Sequence, residues 1–495
     1  MRSLCCLLVL ISATSWAQPP HVVLIVADDL GWKDVGYNGS EINTPNIDAL
    51  ARDGVALTDF YVHATCSPTR AALMTGQSPM RHGIYYALGK NTAGSLPLSL
   101  TLLPEYLGEA GYQSVMVGKW HLGYATSAML PMARGFEAVY GHFTGGVGYW
   151  DHVHGGGLDW HRNGKALREE GYATHLQADE AVRLIRERDR ARPLFLYTAF
   201  SAPHLPNEAP AVSIDKYSSI SNENRRIHAA MVDELDQAIG RIVATLEAEQ
   251  MLNNTLIWFF SDNGGLNPAA MSDSMRSLVS RLVSVFGRPV PIDFLEFLRH
   301  NTEDGGSDNG PYRRGKGAIY QGGILVPSVV YWPGILEPAS VSYRVTVQDV
   351  LPTLAAATGI ELPPAHVLDG AAVWDSISGA GESAQTDFVA VSMDDRAVLR
   401  GEWKLVVSGD VVELYNLAED PLEQVDRAAD NPLLVEAMRS AIDDIPQRES
   451  INQSMFRLMM DMDRFGGEED RAPWADVVRQ VEDPDGNWVE FLEQQ

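Results

Sequence analysis

Cys66 stands in the stretch Tyr61-Val62-His63-Ala64-Thr65-Cys66-Ser67-Pro68-Thr69-Arg70, where a sulfur nucleophile meets the start of a helix. Proline suits the first helical position, because its φ is fixed and the N–H it lacks would have no partner there. The spacing predicts Ser67 at the N-cap, a helix running on from Thr69 to Met74, and Gly76 as its stop. Unpaired backbone N–H groups and the positive end of the helix dipole gather at such a terminus, so a reactive group at Cys66 is aimed at an anion. Asp28, Asp29, Asp262 and Asn263 offer three carboxylates and one amide oxygen. That all-oxygen set suits a hard cation such as calcium or magnesium better than zinc, which prefers histidine and cysteine. Singly, such pairs more often cap helices or make turns; their occurrence after two separate apolar runs favours a metal. Lys119, His121 and His204 add a cation and two proton carriers, although a lone lysine is usually a solvated charge and a lone histidine a satisfied structural residue.

The elements that must carry these residues are short apolar runs alternating with amphipathic segments, the pattern of α/β units. His21 to Ala27 ends in Asp28-Asp29, Gln113 to Val117 ends in Gly118-Lys119-Trp120-His121, Pro193 to Phe200 ends in Ser201-Ala202-Pro203-His204, and Thr255 to Phe260 ends in Ser261-Asp262-Asn263. The carboxyl ends of parallel strands are where open α/β sheets place their sites, so all of these side chains can converge on one rim. Thr44-Pro45 opens a helix through Arg52 with Gly54 as its stop. Ile227, Met231, Leu235, Ile239, Ile242 and Leu246 lay an apolar stripe along a longer helix, and Arg344 to Thr358 reads as another. The expected fold is α/β: a large mixed, mainly parallel sheet flanked by helices. Beyond it, Phe388 to Ser392, Ala397 to Val407 and Val411 to Leu417 read as hairpin-linked strands with a helix after Asn431, a smaller antiparallel sheet plus helix. The expected division is 1–17, 18–380 and 386–495, with Gly379 to Gln385 as linker.

At 495 residues the chain exceeds what one core usually organises. Met1 to Ala17 reads as a signal peptide: Arg2 as the charged start, Cys5 to Ile11 as the apolar core, and Ser15-Trp16-Ala17 as the cleavage site. It is too short for a membrane anchor. The expectation is export to the periplasm or beyond, with Cys5 and Cys6 removed and Cys66 left alone. An unpaired cysteine in an oxidising compartment has to be buried, partnered or chemically altered. With 38 basic and 65 acidic residues the net charge is −27, which excludes nucleic acid as a natural partner. Any anionic substrate must be drawn in by local charge.

C-S-P-T-R followed by Ala71-Ala72-Leu73-Met74-Thr75-Gly76 resembles the signature of the type I sulfatases, in which the cysteine is oxidised to formylglycine. Asp28-Asp29-Leu30-Gly31-Trp32 and Asp262-Asn263-Gly264-Gly265 resemble that family's metal motifs. Gly118 to Gly123, Ala202-Pro203-His204, and Gly315-Lys316 with Gly322-Gly323 resemble its lysine and histidine motifs. Pro193-Leu194-Phe195-Leu196-Tyr197 and the Gly-Tyr-Trp-Asp-His stretch from Gly148 are most similar to the arylsulfatase B branch. The resemblance implies an alkaline-phosphatase-like fold, a calcium ion held by Asp28, Asp29, Asp262, Asn263 and position 66, and a maturation enzyme that oxidises Cys66. It also implies roles: the hydrated aldehyde as nucleophile with Asp262 near to take its proton, Arg70 fixing the hydrate, and Lys119 and Lys316 on the sulfate oxygens. His204 with Lys316 would protonate the leaving alcohol, and His121 would deprotonate the second hydroxyl.

Trp150, Asp151, His152, His154, Trp160, His161 and Arg162 form an aromatic and polar cluster able either to stack on a sugar or to pack inward. A sulfated sugar is the substrate the resemblance implies. A phosphate or phosphonate ester hydrolase of the same superfamily, or a sulfated-glycan binding protein with an unconverted Cys66, are the alternatives. The segment 266–311 reads as an insertion, with Met275 to Phe286 at helical spacing, Pro291 to His300 as a further helix and Asn301 to Gly310 as a loop: a lid, a substrate wall, a subunit contact or a packed excursion. Met455 to Met462 reads as adaptable packing.

Overall fold

The computed structural model describes residues 19–89, 92–154, 157–267, 305–382 and 385–451, with the strand residues 480–482 and 488–490. The expected signal peptide, the two helices read within 266–311 with the first four residues of the loop after them, and the Met-rich tail lie outside the described residues.

Four strands form the centre of a 12-stranded sheet: Thr255–Ser261, His21–Ala27, Leu194–Ala199 and Gln113–Lys119, all parallel, with Ala138–His142 parallel at one side. Val22 to Ala27 and Leu194 to Ala199 are wholly buried, which is why they read as unbroken apolar runs rather than alternating ones. Ser328–Tyr331 joins antiparallel beside Thr255–Ser261, which makes the sheet mixed. Register is tight where it matters: Ala27 pairs with Ser261 and Ala199 with Gly118. The residues following these strands therefore leave the sheet at one level.

Helices pack in two groups, Cys66–Thr75 with Leu103–Glu109 and Val350–Thr358, and Ala173–Glu187 with Glu223–Ala248 and Pro45–Asp53. The last begins after Thr44 and stops at Gly54 as expected. The helix expected over Arg344 to Thr358 starts only at Val350, because Thr346 and Asp349 form a capping box over a short 3-10 turn.

The C-terminal sheet is a four-stranded antiparallel meander, Phe388–Ser392, Asp395–Arg400, Trp403–Ser408 and Val411–Asn416, with the Pro432–Asp443 helix against it. The run Ala397 to Val407, read as one strand, is two: Gly401 at φ 55° turns the chain between them. Its apolar side chains Phe388, Ala390, Ala397, Leu399 and Val406 pack on Tyr61, Ala64, Ile319, Ile324 and Leu325. Lys404 and Glu423, both fully buried and 2.6 Å apart, reinforce that seam, where Glu423 also accepts the Gln321 N–H at 2.8 Å. The C-terminal sheet thus braces the segments just before Cys66 and just after Lys316.

Candidate active site

The Cys66 helix begins two residues earlier than its sequence suggests. Thr65 is the N-cap in extended backbone, Cys66 is the first helical residue, and Gly76 ends the helix at φ 65°. Ser67 is free of the capping task because its hydroxyl ties two other segments together, donating to the His121 carbonyl at 3.0 Å and accepting from the Leu88 N–H at 3.1 Å. Cys66, 1% exposed, lies with Sγ 3.1 Å from His121 Nδ1, and His121 Nε2 lies 2.8 Å from the Leu88 carbonyl. Burial pushes the thiol pKa up, against the pull of Lys119 and Lys316, so this cysteine is held as a thiol rather than a thiolate.

Asp28 and Asp29 follow the first strand, and Asp262 and Asn263 the strand beside it. Asp29 sits in left-handed backbone at φ 66°, its N–H donating to Asp262 Oδ1 at 3.3 Å. Gly264 and Gly265 are small for a reason the structure makes plain: a Cβ on Gly264 would fall 1.9 Å from the Gly322 carbonyl oxygen. The Gly264 N–H donates to the Gly323 carbonyl and the Lys316 N–H to the Gly265 carbonyl, which brings Lys316 to the rim. Lys316 Nζ then donates to Asp29 Oδ2, and Lys119 Nζ to Asp28 Oδ2, each at 2.7 Å. His204 donates from Nδ1 to the Leu205 carbonyl at 2.7 Å and turns Nε2 toward Asp29 Oδ2, 3.7 Å away.

All ten expected site residues therefore converge, with one change of partner. Arg70 was expected to reach the group at position 66. Instead every guanidinium nitrogen donates to another acceptor: Nε and one terminal nitrogen to Asp262 Oδ2 at 2.9 and 2.8 Å, the other to the Lys119 carbonyl at 2.9 Å and the Tyr197 hydroxyl at 3.4 Å. Arg70 acts on Asp262. Tyr197 was missed by sequence reading; a tyrosine inside a fully buried apolar strand was the available signal.

Three carboxylates packed together leave an electrostatic debt. Asp28 is pushed up to about 8 by burial and by Asp262, against Lys119. Burial would raise Asp29 as well, but Lys316, His204 and Lys119 together hold it below the usual carboxylate range. Asp28 Oδ1 and Asn263 Oδ1 are buried with no hydrogen-bond partner. Orphaned buried acceptors beside crowded carboxylates fit a hard divalent cation. Two metal-capable groupings exist among the described residues, Asp28-Asp29-His204 and Asp28-Cys66-Asp262, the ligand atoms of each lying within 4.8 Å of one another. His121 and His204 are both held well below the ordinary histidine pKa by burial and then by the nearby lysines, Lys119 and Lys316 respectively.

Residues 20–360 match the family model described as Sulfatase. The chain belongs to the Sulfatase family. This sulfatase-family chain is 32% identical over 388 residues to arylsulfatase J of Mus musculus, covering 76% of its own length and 59% of that protein. It is 32% identical over 381 residues to N-acetylgalactosamine-6-sulfatase of Homo sapiens, covering 72% and 66%. It thus spans under two thirds of either relative. Among solved structures it is similar to Ps i-CgsB in complex with k-i-k-neocarrahexaose, TM-score 0.77 at 28% identity over 91% of this chain and 98% of that one. The PsFucS1 sulfatase from Pseudoalteromonas sp. gives 0.67 at 25% identity over 87% and 92%. The sulfatase family's alkaline-phosphatase-like sheet, helices and small antiparallel sheet are those described above.

The aromatic cluster divides. Trp160 and His161 are fully buried and His152 nearly so, with the Trp160 indole donating to Glu169 at 2.7 Å. Those three pack inward and do not offer a sugar surface. Trp150 is half exposed beside Tyr172, and Asp151 is exposed.

Proposed function

We propose that this protein hydrolyses sulfate esters on carbohydrates, after a maturation enzyme has oxidised Cys66 to formylglycine. The observation that carries the reading is the setting of the Cys66 sulfur, between the Asp28 and Asp262 carboxylates and against the His121 imidazole. The names of the similar proteins, an N-acetylgalactosamine-6-sulfatase and a structure holding a neocarrahexaose, support a sulfated sugar as the substrate class.

Asp28, Asp29, Asp262 and Asn263, with position 66, would hold a hard divalent cation, calcium by likeness to the family. Bound there, it would draw charge off the sulfate oxygens and acidify a hydroxyl at position 66. Hydrated formylglycine supplies two hydroxyls, one to attack sulfur and one whose proton must leave when sulfate is expelled and the aldehyde re-forms. Lys119 and Lys316 stand on either side to receive the nonbridging oxygens. His204, with Lys316, gives a proton to the bridging oxygen as its bond to sulfur breaks. Burial keeps His204 neutral in the free protein, and an anionic ester seated beside it opposes that shift, so the substrate itself recruits the acid. His121, its Nδ1 already against position 66, takes the proton of the second hydroxyl. Arg70 holds Asp262 in place for both steps.

A two-zinc phosphatase would need more nitrogen ligands; His204 is the one histidine in the metal-capable groupings among the described residues. No described helix is long and apolar enough to cross a membrane. We place the protein outside the cytoplasm after cleavage near Ala17, with 18–380 as catalytic domain and 386–495 as its C-terminal partner. The test is mass analysis of the Cys66 peptide paired with sulfate release from an aryl sulfate and phosphate release from the matching aryl phosphate. Formylglycine with a strong preference for the sulfate is the expected result. Full-rate sulfate release by protein that keeps its thiol would end the proposal.

A further inference from the structure

Between the two histidines runs a turn that the chemistry above does not use. The Ala138–His142 strand leads into Phe143-Thr144-Gly145-Gly146, and neither glycine is in left-handed backbone. Their smallness serves space. A Cβ on Gly145 would lie 3.0 Å from Cε1 and 3.1 Å from Nε2 of His121. A Cβ on Gly146 would lie 2.9 Å from Nδ1 and 3.0 Å from Cε1 of His204. Consecutive residues thus press one on each imidazole, closer than a methyl group could stand.

The turn is fixed at both ends. At its start, the fully buried Asp159 carboxylate accepts the Phe143 N–H at 3.0 Å, the Thr144 N–H at 2.9 Å and the Thr144 hydroxyl, and it pairs with His161 Nε2 at 2.9 Å. The His161 ring stacks on Phe143 with centroids 4.2 Å apart. The same segment holds His121, whose N–H donates to the Phe143 carbonyl at 2.9 Å and whose own backbone is left-handed at φ 58°. At the far end, the Tyr149 hydroxyl lies 2.8 Å from the Ser201 carbonyl and 2.9 Å from that of His204. A spacer clamped to His121 on one side and to His204 on the other has little freedom to drift.

We infer that Gly145 and Gly146 are separate positioning residues: the turn anchored by Asp159 and Tyr149 sets His121 through Gly145 and His204 through Gly146, so that each glycine tunes a different half of the reaction. The inference rests on the roles proposed above for the two histidines. An added methyl group must push its imidazole by some tenths of an ångström, and misplacement of about 1 Å can cost about 10²-fold in rate.

The experiment compares Gly145→Ala and Gly146→Ala with His121→Ala and His204→Ala in matured protein, on aryl sulfates whose leaving phenols span a range of acidity. Gly146→Ala should lose about 10²-fold on the poorest leaving group and only a few-fold on nitrophenyl sulfate, in the same sense as His204→Ala. Gly145→Ala should lose rate equally on all of them. It should also release one phenol in a burst and leave a sulfo group on the peptide containing position 66, like His121→Ala. Tyr149→Phe, which keeps the ring and removes the two carbonyl contacts, should follow Gly146→Ala more weakly and covers the case in which the alanine variant fails to fold. A readout independent of turnover is NMR of nitrogen-labelled histidine: Gly145→Ala should move the His121 signals and Gly146→Ala those of His204. Unmoved signals, or the same kinetic signature from both glycines, would overturn the inference. If the two histidine variants themselves show no such split, the role assignment fails instead, and the NMR shifts still decide whether the glycines position the rings.

Discussion

Two neighbouring buried regions, a charged wall around Cys66 and an aromatic wall behind Phe143, are built on opposite principles. In the charged wall, partners come from remote parts of the chain: Asp29 meets Asp262 across 233 residues and Lys316 across 287. After every internal pairing it still leaves Asp28 Oδ1 and Asn263 Oδ1 without a partner. In the aromatic wall the carboxylates are answered from close by, Asp159 by Phe143, Thr144 and His161 and Glu169 by Trp160, and what is left open there is nitrogen, His152 Nε2 and Arg162 Nε, rather than carboxylate or amide oxygen. A buried region whose carboxylates are answered locally is scaffold, and one that leaves oxygen acceptors open among crowded charges is poised for a cation. Substitutions can test that contrast.

The largest effect belongs to the charged wall. Cys66→Ala should lower turnover by more than about 10⁴-fold while circular dichroism and thermal unfolding stay near wild type. Cys66→Ser should bind substrate, accept one sulfo group and stall, and sustained multiple turnover by that variant would break the mechanism. Next comes Asp262→Ala, which strands the fully buried Arg70 guanidinium. Denaturant titration should show a loss of about 3–5 kcal/mol, together with loss of calcium-restorable activity after chelation. Restoration by zinc alone would argue against the oxygen-donor site. Trp160→Ala should cost a similar 3–5 kcal/mol through the cavity it leaves, yet the folded fraction should keep its kcat. A selective loss of kcat there would erase the distinction between the walls.

A smaller effect concerns His63, buried with neither ring nitrogen partnered and lowered by burial to about 3 from 6.5; His142, whose Nε2 meets the Ser201 hydroxyl, is lowered by burial to about 3 as well. A folded-state pKa below the unfolded one gives stability that is present above about pH 6.5 and is lost as pH falls toward about 3. At about pH 5 each such histidine should subtract about 2 kcal/mol. His63→Phe, whose ring can still pack on Phe388, should flatten the acid limb of a stability-against-pH curve. An unchanged limb would show that His63 is charged or partnered in the fold. Smallest of all, Trp150→Ala should leave stability within about 1 kcal/mol and raise KM a few-fold on sulfated oligosaccharides, without changing KM for an aryl sulfate.

What the sequence made legible follows the same division. Parallel strands announce themselves as unbroken apolar runs, and the residue after each run has to sit at the rim, so Asp28, Lys119, His204 and Asp262 could be placed without coordinates. Motif spacing added Cys66 and Lys316. Hidden were the partners chosen among equals: Arg70 on Asp262 rather than on position 66, and Ser67 on the His121 carbonyl rather than as a cap. Nothing in one-dimensional spacing separates those choices, because each depends on which acceptor a rigid backbone brings within 3 Å. The aromatic stretch was ambiguous for a similar reason. Trp150 and Trp160 are alike in sequence setting, and only the position of Glu169 and Tyr140 behind the second ring turns it inward.

The seam between the C-terminal sheet and the nucleophile's loop carries a consequence for the order of events in synthesis. The Ala64 N–H reaches the Val391 carbonyl, and the Ser392 hydroxyl reaches the carbonyl of Gly317, the residue after Lys316. A ribosome finishes these bracing strands more than 300 residues after it has made Cys66. Through that interval the loop before Cys66 and the turn after Lys316 lack these partners, whereas in the finished molecule both are tied down and the sulfur is almost sealed from solvent. Any change at Cys66 that needs the loop before it to move is therefore easier before the last sheet closes than after.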